Sequence, residues 1–109
     1  MKGGFSLRLE NKIAIVTGAG QGIGKAIAIG LAKEGASVVI NDINENNCQE
    51  VARIIEQDYH RPSLVAIGDV SLRNTAVKIK EETLKKFNRI DILVNNAGIM
   101  ISGLVVDYR

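Results

Sequence analysis

The 109-residue sequence has one cysteine, one histidine, one proline and no tryptophan. With Cys48 alone, no disulfide forms within the chain and no cysteine-based zinc site can be assembled. His60 adds only one further ligand, so no metal-binding residue is assigned. No apolar run approaches the roughly 18 residues needed to span a bilayer. Residues 1–12 hold a lysine and a glycine pair but no apolar stretch of a secretory signal. The expectation is therefore a reduced, cytoplasmic compartment with no membrane contact. Charge of one sign is also scarce. Fourteen basic against twelve acidic residues leave +2, too weak and too interspersed to track nucleic-acid phosphates. Disorder is excluded by the balance of 46% hydrophobic to 24% charged residues, which supplies enough apolar surface to offset chain entropy.

Glycine, in contrast, is plentiful. There are eleven, and Gly18, Gly20, Gly22 and Gly24 crowd into one short segment. Around that segment, apolar runs alternate with helix-period stretches. Ile13 to Val16 is a short run apolar on both faces, as in a buried parallel strand, ending at Thr17-Gly18. Ile23, Ile27, Gly30 and Leu31 then recur at helical spacing until the glycine stop at Gly35. Ser37 to Ile40 is a second strand run. Cys48, Val51, Ala52 and Ile55 mark one face of a second helix, which must end before Pro62. Leu64 to Ile67 is a third strand. Ser71 is placed to cap a third helix, with Leu72, Ala76, Ile79, Thr83 and Phe87 on one side and lysines on the other. Ile92 to Val94 forms a fourth apolar run. The order β-α-β-α-β-α-β predicts an α/β domain with a parallel sheet covered on both faces.

Loops that cradle phosphate share a physical need: without a Cβ the backbone turns tightly and brings helix N-terminal amides close to the anion. Spacing separates the kinds. A P-loop fails, because Ala19 stands at its first glycine and Ala26 replaces its magnesium-binding hydroxyl. The G-x-G-x-x-G fingerprint fails in both registers, meeting Ile23 from Gly18 and Lys25 from Gly20. A G-x-G-x-G loop, as in S-adenosylmethionine-dependent methyltransferases, is matched by Gly18, Gly20 and Gly22. The strand before it carries no carboxylate, however, and Asn95-Asn96-Ala97-Gly98 stands where those enzymes tend to have an aspartate or asparagine and prolines. The pattern T-G-x-x-x-G-x-G fits in full, with Thr17, Gly18, Gly22 and Gly24. Here the sequence resembles the short-chain dehydrogenase/reductase family, which carries that loop after its first strand.

Three further features accompany the loop. Asp42 follows the run Val38-Val39-Ile40-Asn41, eighteen positions beyond Gly24, where an acidic residue is expected to accept hydrogen bonds from an adenosine ribose. A turn-forming or helix-capping Asp42 is the alternative. Its carboxylate would repel a 2′-phosphate by about 4 kcal/mol at 4 Å and an effective dielectric near 20, before screening. No basic residue stands at Ala19, Gly20 or Gln21 or beside Asp42, so NAD is expected over NADP, with Lys25 the one reservation. Gly68-Asp69-Val70 follows the third strand. The resemblance implies Asp69 toward the adenine amino group and Val70 on the ring, against a plain helix-preceding Asp and buried Val. Asn95-Asn96-Ala97-Gly98 resembles the family's N-N-A-G segment, which also stabilises the central sheet.

The resemblance covers approximately Leu9 to Ile101. It implies a Rossmann-like doubly wound sheet, here four strands in the order 3-2-1-4 with three helices. The implied dinucleotide contacts are Gly18, Gln21, Gly22, Ile23 and Gly24 in the loop, Asp42 and Ile43 after the second strand, Asp69 and Val70 after the third, and Asn96, Ala97 and Gly98 after the fourth. The implied reaction interconverts an alcohol and a ketone or aldehyde, commonly in a homo-oligomer. In the family it depends on an Asn, a Ser and a Tyr-x-x-x-Lys beyond the fourth strand, the lysine lowering the tyrosine pKa. None can be assigned here: Tyr108 is followed only by Arg109, and Tyr59 sits in helix-terminal sequence. No catalytic residue is named, and the chain alone is expected to be inactive. Residues 1–109 thus look like one truncated NAD-binding domain, with 99–109 an incomplete tail and the fourth strand leaving an edge prone to association. A non-catalytic dinucleotide module and an inactive truncated product are the other readings.

Overall fold

Ile13, Ala14, Ile15 and Val16 are all buried, and together they form β1, Ile13–Val16, at the centre of a parallel sheet. Such a strand needs apolar side chains on both sides, because helices cover both faces. The computed structural model describes residues 7–97. Their elements follow as α1 (Gly22–Lys33), β2 (Ser37–Asp42), α2 (Glu45–Tyr59), β3 (Ser63–Ile67), α3 (Arg73–Phe87) and β4 (Ile92–Val94). The sheet order is β3-β2-β1-β4, every pair parallel, as the family resemblance implied.

Alternation along β1 assigns the faces. Ala14 and Val16 pack with Val38 and Ile40 of β2 against Ala28 and Ala32 of α1 and Cys48, Val51 and Ile55 of α2. Ile15 and Val39 point the other way, to Ala76 and Ile79 of α3. The second helix buries the face its sequence predicts. The first does so only in part. Its buried residues are Gly24, Ala28 and Ala32, and Ile27 and Leu31 pack half-buried against the same core, while Ile23 is 74% exposed and Gly30 is exposed as well. The large apolar residues misdirect the reading, because a helix lying close over a sheet presents its small residues to it.

The third helix departs at its start. Ser71 is not the cap: Leu72 holds that position with no side-chain cap bond, and is 58% exposed rather than part of the inner face. Ser71 instead donates its amide and hydroxyl to Asp69 Oδ1, at 2.9 and 2.6 Å, which removes it from the helix end. The second helix is capped as its class prefers, with Asn44 Oδ1 accepting from the Asn47 amide at 2.9 Å. Gly35, at φ +105°, follows α1 in a backbone conformation that favours glycine. The strand run read from Leu64 begins one residue earlier, at Ser63.

β4 is fixed to β1 at its entry by a carboxylate. Asp91 Oδ2 accepts the Ile13 amide at 2.8 Å, and the Asp91 amide donates to the Ile13 carbonyl at 2.9 Å. Arg89 donates to the other carboxylate oxygen through Nε and Nη2, at 3.0 and 2.6 Å. Burial pushes the Asp91 carboxyl upward. The Arg89 hydrogen bonds, the Ile13 amide and the charges of Arg89 and Lys12 outweigh it, and its pKa lies below the ordinary value. β4 shows Leu93 exposed and Ile92 and Val94 half-buried, and among the described residues its far edge has no strand partner.

Asp91→Ala removes the acceptor of a main-chain amide and is expected to cost about 1–3 kcal/mol in urea unfolding at pH 7. A carboxyl with a depressed folded pKa stabilises above its unfolded value of about 3.9, and the contribution is lost as pH falls through the folded value. The gap between the two proteins should therefore close in acid, and a gap that stays constant to pH 2 contradicts the assignment.

Candidate functional site

The carboxyl ends of all four strands meet at one crevice. β1 is followed by Thr17-Gly18, whose backbone must double back to start α1, and Gly18 and Gly22 take φ +61° and +60° to do so. The turn is packed without slack. A Cβ on Gly24 would lie 2.0 Å from the Gly18 carbonyl oxygen and 2.5 Å from Asn96 Nδ2. Asn96 Nδ2 itself donates to that carbonyl at 3.1 Å. The buried Thr17 hydroxyl accepts the Ala97 amide at 3.1 Å and, as donor, lies 3.4 Å from both the Val94 carbonyl and Asn95 Oδ1. The Asn95-Asn96-Ala97 segment and the glycine loop are thus one unit, spanning β4 and β1.

The loop is joined to β2 as well. The Ala19 amide donates to the Asn41 carbonyl at 2.8 Å, and the Gly20 amide to Asp42 Oδ2 at 2.9 Å. Asp42 Oδ1 accepts the Ile43 and Asn44 amides at 2.7 and 3.3 Å. The carboxylate therefore makes a turn without being the helix cap, which is Asn44. At the start of α1, Gln21 supplies no side-chain cap bond and the first turn holds no acidic residue. Among the described residues, neither a Gln21 cap bond nor a first-turn carboxylate compensates the positive end of this helix.

Between these ends lies a cavity of about 190 Å³, bounded by Gly18 on one side, Asn41 and Asp42 on β2 and Ile43 just after it, Gly68 to Val70 after β3, and Ala97 after β4. The volume suits one part of a ligand. Six of the expected contacts line it: Gly18, Asp42, Ile43, Asp69, Val70 and Ala97. Gln21, Gly22 and Ile23 stand exposed at the opening of α1, and Ile43 is 72% exposed. Gly24 and Asn96 lie beneath the loop and hold its shape. Gly98 lies outside the described residues. Hydrogen bonds from the Ser71 hydroxyl and amide hold the Asp69 carboxyl below its ordinary pKa, so it is an acceptor at neutral pH.

Sequence reasoning missed two cavity residues. Asn41 is buried at 2% exposure and donates through Nδ2 to the Ala66 and Gly68 carbonyls, at 2.9 and 3.1 Å. A polar residue ending the run Val38-Val39-Ile40 was the available signal. Gly68 takes φ +143°, and its amide donates to the Asp42 carbonyl at 3.0 Å.

A parallel sheet in which β2 and β3 lie to one side of β1 and β4 to the other, with a crevice at the carboxyl ends there, defines a Rossmann-like α/β domain. The chain belongs to the short chain dehydrogenase family, whose sequence profile matches residues 12–108. It is 39% identical over 101 residues to an uncharacterized oxidoreductase of Staphylococcus saprophyticus, covering 93% of this chain and 43% of that relative. Among solved structures it resembles L-sorbose reductase of Gluconobacter frateurii complexed with NADPH and L-sorbose. That match has TM-score 0.81 and 35% identity, over 87% of this chain and 36% of the reductase. It also resembles 7α-hydroxysteroid dehydrogenase complexed with NADH and 7-oxo glycochenodeoxycholic acid, with TM-score 0.77 and 40% identity over 83% and 35% of the two chains. The chain thus spans well under half the length of these proteins. The methyltransferase alternative is closed by the family match.

Cys48 sits on α2 in the core beneath this site. Burial, then the charges of Asp42 and Glu45, push its thiol up to about 11, outweighing a hydrogen bond with the Asp42 backbone. A buried, protonated thiol is a poor nucleophile. In native protein at pH 8, Cys48 is expected to resist Ellman's reagent and to react as fast as a free thiol once urea unfolds the chain. Rapid reaction of the folded protein would refute its burial.

Proposed function

We propose that residues 1–109 are a single dinucleotide-binding domain of an NAD(H)-dependent oxidoreductase that interconverts an alcohol with a ketone or aldehyde. The observation that carries the choice of NAD is the Asp42 carboxylate, tied by three backbone amides at the edge of the cavity. A carboxylate has more acceptor sites than three amides use, and those left can take the two hydroxyls of an adenosine ribose. Held from both oxygens, it cannot swing aside for a 2′-phosphate, and among the described residues no lysine or arginine lines the cavity to receive one. The two solved relatives described above carry NADPH in one case and NADH in the other, so the preference here rests on Asp42.

The other residues fit the same ligand. Past Gly22 a Cβ would meet nothing within 4 Å, which leaves open space above the uncapped end of α1 for a diphosphate. Ile43 and Val70 offer apolar surface to a base, and Asp69 an acceptor. When bound, the nicotinamide ring supplies the hydride chemistry. These residues bind and orient. They do not move the substrate proton, and no Tyr-x-x-x-Lys occurs in the sequence.

Calorimetric titration of the chain is expected to show NAD bound more tightly than NADP, with Asp42→Ala weakening NAD about tenfold or more and narrowing the gap. Tighter binding of NADP to the unaltered chain would overturn the NAD reading. The purified 109-residue chain is further expected to give no turnover with alcohols or carbonyl compounds. Reproducible NADH formation, followed at 340 nm, would show that catalytic groups are present after all.

A further inference from the structure

The cavity has one wall that the regular sheet does not hold in place. The β2–β3 ladder ends at the pair Asp42 and Ile67, so the chain leaving β3 at Gly68 has run out of strand partners on that side. Asn41 continues the bonding with its side chain. Its Nδ2 reaches the Ala66 carbonyl at 2.9 Å, inside the ladder, and the Gly68 carbonyl at 3.1 Å, beyond it. With the Gly68 amide on the Asp42 carbonyl at 3.0 Å, both main-chain polar groups of Gly68 are tied to the end of β2. From the other side Thr75 of α3 closes in: a Cβ on Gly68 would lie 2.6 Å from its Cγ2. Gly68, at φ +143°, is therefore pinched between a buried amide and a helix, in a conformation that L side chains rarely adopt.

Asp69 and Val70 come directly after this clamp and form the cavity wall. Asp69 carries the carboxylate that can only accept at neutral pH, and both of its Ser71 bonds fall on Oδ1. An amide whose two N–H groups are spent on carbonyls can likewise offer a ligand only its oxygen. The wall suits a base edge that donates hydrogen bonds, an exocyclic amino group, and disfavours one that accepts.

We propose that Asn41 is a positioning residue that fixes the Gly68–Asp69–Val70 wall and thereby sets the preference for a 6-aminopurine over a 6-oxopurine base. This rests on the dinucleotide reading above. Asn41 itself transfers nothing. It acts through the placement of Asp69.

The test compares NAD with nicotinamide hypoxanthine dinucleotide, which differs only at the base, by calorimetry on the 109-residue chain. The unaltered chain should bind NAD at least about tenfold more tightly, the scale of one misplaced hydrogen-bonding group. Asn41→Thr keeps a strand-compatible residue but removes the two-donor fork, and Gly68→Ala disturbs the same wall while leaving every β2 side chain in place. Each should bring the affinity ratio down toward one. General loss of folded protein lowers both affinities together and leaves the ratio alone, so the ratio separates positioning from stability. Should one variant fail to fold, the other carries the measurement. An unchanged ratio in a folded variant overturns the role of Asn41 and leaves the dinucleotide reading standing. An unaltered chain that binds neither dinucleotide overturns both.

Discussion

The close seating of the first helix on the end of the first strand is the contact on which the site depends. Gly24 can carry no side chain, because the Gly18 carbonyl occupies the place where a Cβ would be. The same carbonyl accepts from Asn96 Nδ2, so the helix, the glycine loop and the segment after β4 share one short-range contact. That proximity leaves the amides at the opening of α1 directed at the crevice with no cap bond from the Gln21 side chain. Nothing larger than glycine at Gly24 would keep it.

From this contact outward, the site is built by tying loops to strands. The Ala19 and Gly20 amides bind β2 through the Asn41 carbonyl and the Asp42 carboxylate. The Thr17 hydroxyl binds the turn after β4, and the Asn41 amide binds the turn after β3. Each loop following a strand is thereby anchored to its neighbour in the sheet, where isolated loops would move independently. At the opposite end of the sheet, Asp91 makes the corresponding connection between β1 and β4. The carboxyl ends bear the groups open to a ligand, while the amino ends bear groups that hold strands together.

Much of this was legible in the residues. A run of four apolar residues such as Ile13 to Val16 calls for cover on both faces, and three helix-period stretches between four apolar runs leave little but a parallel α/β sheet. The spacing of Thr17, Gly18, Gly22 and Gly24 fixed where the sharp turn falls, since only glycine tolerates both φ near +60° and the approach of a backbone oxygen. Less legible was which way α1 faces. Ile23 carries the hydrophobicity but Ala28 and Ala32 carry the contact, because close packing selects for small size. Ser71 was equally ambiguous. Its hydroxyl can serve a helix end or a neighbouring carboxylate, and only the path of the chain after β3 decides for Asp69.

Sequence alone determined the elements, their order and the place of the glycine turn, all of which follow from local patterns of size, polarity and backbone freedom. The convergence of Asp42, Asp69 and Ala97 on one cavity came from tertiary structure, since these residues are far apart along the chain and meet only when the parallel strands align their ends. So did the role of Asn41. An asparagine at the end of a strand has several possible partners, and the carbonyls it satisfies exist as a pair only after β3 has docked beside β2.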